Sequence, residues 1–148
     1  MKLISAIGGG FAGALALTAL HETLRRINSK APRMDKLGMQ SISKSLKAVD
    51  VSVPKKATLF KITMAGDVLA NTFYYSLAGI GDKENMLVKG AVLGVAAGLG
   101  GVYLPKPMGL NPKPSARTTA TKLMTIGLYL FGGVVASLTS QLIEEKVA

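Results

Sequence analysis

Four apolar stretches rich in Gly and Ala run through the chain, roughly Leu3–Leu20, Leu59–Ile80, Met86–Leu104 and Leu123–Ile143. Each is close to the ~20 residues that a helix needs to cross a hydrocarbon core of ~30 Å. No water reaches a backbone there, so each segment must satisfy its own hydrogen bonds, and a helix is the form that does so. The expectation is an all-α membrane protein with four transmembrane helices in an up-down bundle. The spans fall at about 3-24, 59-81, 86-104 and 119-143, within one domain over 1-148.

Charge orients such a bundle. The chain has 18 Lys and Arg against 8 Asp and Glu. Ten of these cations lie between Arg25 and Lys61, four more between Lys106 and Lys122, and only Lys2, Lys83, Lys89 and Lys146 remain for the other side. The positive-inside rule places the connections 25-58 and 105-118 in the cytoplasm of a bacterial inner membrane, with both termini and the turn 81–85 outside. So basic a composition in a soluble domain would suggest nucleic acid. Here the cations lie outside the apolar stretches with few aromatics among them, and Trp is absent, so nucleic acid is not an expected partner. Cys is also absent, which removes disulfides, thiolate metal sites and thiol catalysis.

Lys2 before a small-residue apolar run has the form of a signal peptide. Arg25 and Arg26 close the run as a stop-transfer pattern, so a retained first span is expected. Gly81-Asp82-Lys83-Glu84-Asn85 offers a helix stop at Gly81 and Asp or Asn as the next cap. Pro105 and Pro107 end the third span, because proline lacks the helical N–H. The four prolines of Leu104–Ser115 imply an extended, stiff connection, and Thr118 or Thr119 can cap the fourth span. Between spans one and two, Met34, Leu37, Ile42, Leu46 and Val49 share one helical arc, with Lys36, Gln40, Lys44 and Lys47 opposite. Pro32 suits the first turn of such a helix. This is the pattern of an amphipathic interfacial helix whose Lys36, Lys44 and Lys47 meet anionic phospholipid headgroups.

Small residues recur at four-residue spacing. Ser5, Gly9 and Gly13 mark the first span, Gly66 and Ala70 the second, and Gly90, Gly94 and Gly98 the third, with Ala97 and Gly101 on a parallel track. Such stripes let helix backbones approach closely in lipid. They imply a tight bundle, and more such faces than four helices consume internally, leaving some for other membrane subunits or a second copy of the chain. Gly8, Gly10 and Gly13 fit the dinucleotide spacing, but a fingerprint needs a preceding strand, and these lie within an apolar helix. His21-Glu22 lacks the second His of a zinc-protease motif.

Asp67 is the one carboxylate deep in a predicted span, ~12 Å in at 1.5 Å per residue, and such a group normally faces the bundle interior, paired. Asn71 lies one turn on, and the antiparallel first span and the start of the fourth bring His21, Arg25 and Lys122 to similar depth. A polar cluster of these five residues is expected, either as a structural clamp or as a proton or ion pathway. His21 is a candidate ligand for a haem or chlorophyll-type pigment, though no cofactor and no metal is expected. In size and in a Gly-rich first span ending in Arg, Gly8–Arg26, the chain resembles fluoride channels, and in span number small multidrug transporters. The later Asn- and Phe-rich segments of the first and the deep first-span Glu of the second are missing, so no functional residue transfers. With one His, no Cys and no paired nucleophile and base, an enzyme is not expected. A non-catalytic accessory or scaffold subunit of a membrane complex is the leading expectation. A small channel using Asp67 and an anionic-lipid-binding envelope protein are the alternatives.

Overall fold

The computed structural model describes residues 2–147, and every regular element among them is helical. The elements are α1 (Lys2–Ile27), α2 (Met34–Ala48), α3 (Lys56–Ser76), α4 (Met86–Tyr103), α5 (Lys113–Ala116) and α6 (Thr119–Val147). Single 3-10 turns at Leu77–Gly79 and Lys83–Asn85 bracket the turn between α3 and α4. Three segments are long and apolar enough to cross a membrane: Lys2–Ile27, Lys83–Tyr103 and Thr119–Val147. The second expected span does not reach that measure, because Lys56, Lys61 and Asp67 dilute the apolar residues of α3.

Local chemistry sets most of the boundaries. The Thr118 hydroxyl accepts the Thr121 N–H at 3.0 Å, the side-chain cap that starts α6. Gly81 adopts a left-handed φ of 102°, which a side chain would resist, and so the chain turns there. Helical backbone has already stopped short of it: α3 closes at Ser76 and Ile80 is extended. Neither Asp82 nor Asn85 makes a side-chain cap bond. Pro32 lies two residues ahead of α2 rather than in its first turn. The proline-rich connection is not extended. Leu110 N–H reaches Pro105 O at 2.8 Å and Met108 N–H reaches Leu104 O at 3.1 Å, because the residues between prolines still donate. The connection folds into turns and the short α5.

The long helices neighbour one another in the order α3, α1, α6, α4, each antiparallel to the next. Glycine determines this order. A Cβ at Gly9 or Gly13 would strike the α6 backbone at Ala136 and Gly132, and one at Gly10 would strike α3 at Thr72. On α4, Gly90, Gly94 and Gly98 lie against Gly133, Leu130 and Ile126 of α6. α6 is thus held between α1 and α4 with backbone against backbone.

Burial is inverted relative to a water-soluble bundle. The interior holds Ser5, Asn71, Thr72, Ser76, Thr121, Thr125, Ser137 and Ser140 among small apolar residues. The perimeter exposes Ile7, Phe11, Leu15, Leu69, Phe73, Val88, Val92, Leu99, Phe131, Leu138 and Leu142. Exposed apolar surface on this scale marks contact with something other than water. Three hydroxyls bond across helices: Tyr75 donates to Tyr129 O at 2.7 Å, Tyr74 to Leu93 O at 2.8 Å, and Ser137 to Met86 O at 2.8 Å.

Candidate functional site

Chemistry concentrates at one end of the molecule, where the connections 28–55 and 104–118 meet. The turn between α1 and α2 is tied down from three elements. His21, on the buried face of α1, brings Nε2 to 3.0 Å from Pro32 O and 3.3 Å from the Met34 N–H. Its tautomer decides which of these bonds it makes. From the α5–α6 junction, the Arg117 guanidinium donates to Ala31 O at 2.7 Å and also to Ser29 O. Thr121 of α6 donates to Lys30 O at 2.8 Å, and Arg33 N–H bonds Pro114 O at 2.8 Å. α2 then opens on an ion pair, with Arg33 donating twice to Asp35 at 2.9 and 2.6 Å. Burial alone would raise the Asp35 carboxyl, but the paired bonds and charge of Arg33 hold it below its ordinary value.

The five residues expected to form an intramembrane polar cluster are placed as follows. Asp67 and Asn71 lie one turn apart on the same face of α3. His21 itself turns to the start of α2, as above. Arg25 is bound to Glu22 of its own helix at 2.7 and 2.6 Å and lies 6.0 Å from the Phe60 ring. Lys122 lies over the Tyr103 ring at 6.0 Å. Asp67 is in none of the ion pairs among the described residues. Its carboxylate lines a cavity of about 240 Å³ between α2, α3 and α4, walled by Met34, Leu37, Gly101, Leu104 and Met108.

Along the outer side of α2 runs an open groove of about 620 Å³. Lys36, Lys44 and Lys47 line it from α2, one and two turns apart, and Lys56 joins them from the start of α3. Gln40 and Ser43 add polar atoms, Met39 and Leu110 apolar surface, and no carboxylate lines it. Lys44 also donates to Met108 O, fixing the proline-rich turns over α2. This end of the molecule gathers fourteen Lys and Arg against Glu22, Asp35 and Asp50, two of which are already paired with arginine. The opposite end balances Lys2, Lys83, Lys89 and Lys146 against Asp82, Glu84, Glu144 and Glu145. With Asp67 counted between the two ends, the net charge of +10 comes entirely from the first.

Of the small-residue positions, Gly9, Gly13, Gly90, Gly94 and Gly98 are filled by α6 of the same chain. A Cβ added at Gly101 would come to ordinary contact distance, 3.4 Å, of Met34 and Thr125. Only Gly66 of the expected set is open, with nothing within 4 Å of its missing Cβ. Sequence reasoning missed Lys56, Arg117, Thr121 and the Arg33–Asp35 pair. The last had a local signal, opposite charges two residues apart ahead of an amphipathic run. The others act across long sequence separations that no local pattern records.

What the fold defines is a class: an all-helical protein with three helices long and apolar enough to cross a membrane, compatible with a membrane location. No protein-family model matches the chain, and no curated protein or solved structure does either.

Proposed function

We propose that this is a four-helix integral membrane protein of the bacterial cytoplasmic membrane, non-catalytic, whose cytoplasmic face binds anionic phospholipid. α3 is the fourth membrane helix, since it packs along α1 and exposes Ile62, Leu69, Phe73 and Leu77 on its outer side. Both termini then lie outside, opposite the basic end. The observation that carries the functional reading is the groove of Lys36, Lys44, Lys47 and Lys56, free of carboxylates and edged by Met39 and Leu110. Ammonium groups there meet lipid phosphates while the apolar rim meets the upper acyl chains. A lysine near an anionic membrane surface contributes about 1 kcal/mol, roughly fivefold in affinity, and salt screens it.

Electron paramagnetic resonance of spin-labelled lipids in phosphatidylcholine vesicles containing the protein tests this. Labelled phosphatidylglycerol should be enriched at the protein several-fold over labelled phosphatidylcholine. The preference should shrink in high salt and in a variant with all four groove lysines changed to Gln. An equal preference in that variant would refute the reading.

A second reading, an accessory subunit packed against another membrane protein or a second copy, is favoured by one observation. Gly66 and Ala70 form an open small-residue strip on the outer face of α3. The Gly90–Gly94–Gly98 face no longer argues for it, because α6 occupies that face. Copurification from native membranes in mild detergent distinguishes the two readings.

A further inference from the structure

The Asp67 cavity lies apart from the lysine groove and has a different chemistry. Its walls are mainly apolar, drawn from Met34 and Leu37 of α2, Leu104 just past α4, and Met108 of the following turns, with Ser41 adding one hydroxyl. Gly100 and Gly101 keep the α4 side shallow, so the space is open where a side chain would otherwise fill it. Two methionines give walls that adjust to different occupants, since the thioether chain is unbranched and polarizable. The single charge lining the cavity is the Asp67 carboxylate, which no Lys or Arg neutralises among the described residues. Asn71 follows one turn on along the same face of α3.

We propose that this cavity is a binding site for a small organic ammonium ion with an apolar body, its cationic head on Asp67 and its body between Met34, Leu104 and Met108. A carboxylate at the end of an apolar slot is the complement of such an amphiphilic cation, and an anion or a neutral polar ligand would leave the charge unanswered. At about 240 Å³ the slot is smaller than the 300–1,000 Å³ of sites for drug-sized ligands. The occupant is accordingly of the size of an arylalkyl or short branched alkyl amine. The lysines that make this end of the molecule positive do not line the slot. They stand in solvent, where salt screens them over about 8–10 Å, whereas an ion pair within the slot is screened much less.

The test uses the full chain in uncharged maltoside micelles with methyl-labelled methionine, and benzylammonium as probe against benzyl alcohol of the same shape. Among the seven methionines, Met34 and Met108 report the slot and Met39 reports the lysine groove. The expected result is saturable shifts of the Met34 and Met108 methyl signals with benzylammonium, at least tenfold weaker response to the alcohol, and loss of saturation in Asp67→Asn. Equal responses to the amine and the alcohol would overturn the proposal, showing apolar partitioning alone. So would saturable shifts that survive Asp67→Asn or that move Met39 instead. Should Asp67→Asn not fold, the amine-to-alcohol comparison on the native protein decides by itself.

Discussion

Two glycines should respond in opposite directions to the same substitution. At Gly94 an added Cβ would lie 2.6 Å from Leu130 Cα and 2.6 Å from Tyr129 O, and ordinary contact begins at 3.4 Å. Both atoms are backbone, so no side chain can swing aside, and α4 must back away from α6 by about the difference, 0.8 Å. Overpacking of this kind costs about 1–3 kcal/mol. The same displacement lengthens the Ser137 bond to Met86 O, now 2.8 Å, which is worth about 0.5–1.5 kcal/mol. Alanine returns about 0.5–1 kcal/mol through its better helix propensity. Gly94→Ala is therefore expected to destabilise by about 2 kcal/mol, a fall in Tm of about 4–8 °C. Gly66→Ala keeps only the propensity gain, since nothing lies within 4 Å of its Cβ, and should raise stability by about 0.5–1 kcal/mol. The assay is reversible unfolding in mixed micelles of dodecyl maltoside and dodecyl sulfate, followed by circular dichroism at 222 nm. A Gly94→Ala protein as stable as the native one would refute the backbone-contact account of the α4–α6 seam. Loss of stability in Gly66→Ala in membranes but not in micelles would place another helix on the outer face of α3.

Three further outcomes follow from the clamp and the interior hydrogen bonds. Arg117→Ala removes the donors to Ala31 O and Ser29 O, so trypsin should cut at Lys30 markedly faster while helix content changes little; an unchanged cleavage rate would show the clamp to be idle. The Asp35 carboxyl is depressed in the fold, so it stabilises the start of α2 above the ordinary carboxylate value of 3.8 and that contribution is lost as pH falls through its lowered value. Amide exchange in the first turn of α2 should accelerate below about pH 4, and Asp35→Asn should abolish this dependence. Tyr75→Phe removes the hydroxyl that Tyr75, itself fully buried, donates to Tyr129 O, a carbonyl that keeps its own helical N–H donor, and should cost about 0.5–1.5 kcal/mol in the same micelle unfolding assay.

Helix positions were legible in the sequence because apolar runs and their breakers are local. Pro105 and Pro107 follow the end of α4 at Tyr103, and Thr118 is the cap of α6. The stripe at Gly90, Gly94 and Gly98 was visible too, but its partner was not, because spacing shows that a face is small without showing what lies on it. The same gap explains Arg25 and Lys122. Depth placed them beside Asp67, yet each found a nearer partner, Glu22 in one case and the Tyr103 ring in the other. The proline-rich connection misled in a different way. Proline count suggests extension, whereas Leu110 and Met108 donate backwards and Gly109, at φ 73°, lets the chain fold over α2. Lys56 joined the lysine groove only through the tertiary position of the α3 start.

The position of α6 between α1 and α4 has a consequence for how the protein is made. α6 follows both partners in the chain, so neither glycine face has its match when it first emerges from the ribosome. At about 5–20 residues per second, the α1 face waits many seconds for α6 and the α4 face a few. During that interval two helices carry narrow small-residue tracks with nothing packed on them. Closure of the bundle is thus a late event that depends on the last-made segment. A chain stopped before Thr119 would keep the contact of Gly10 with α3 at Thr72 and lack both seams that α6 makes.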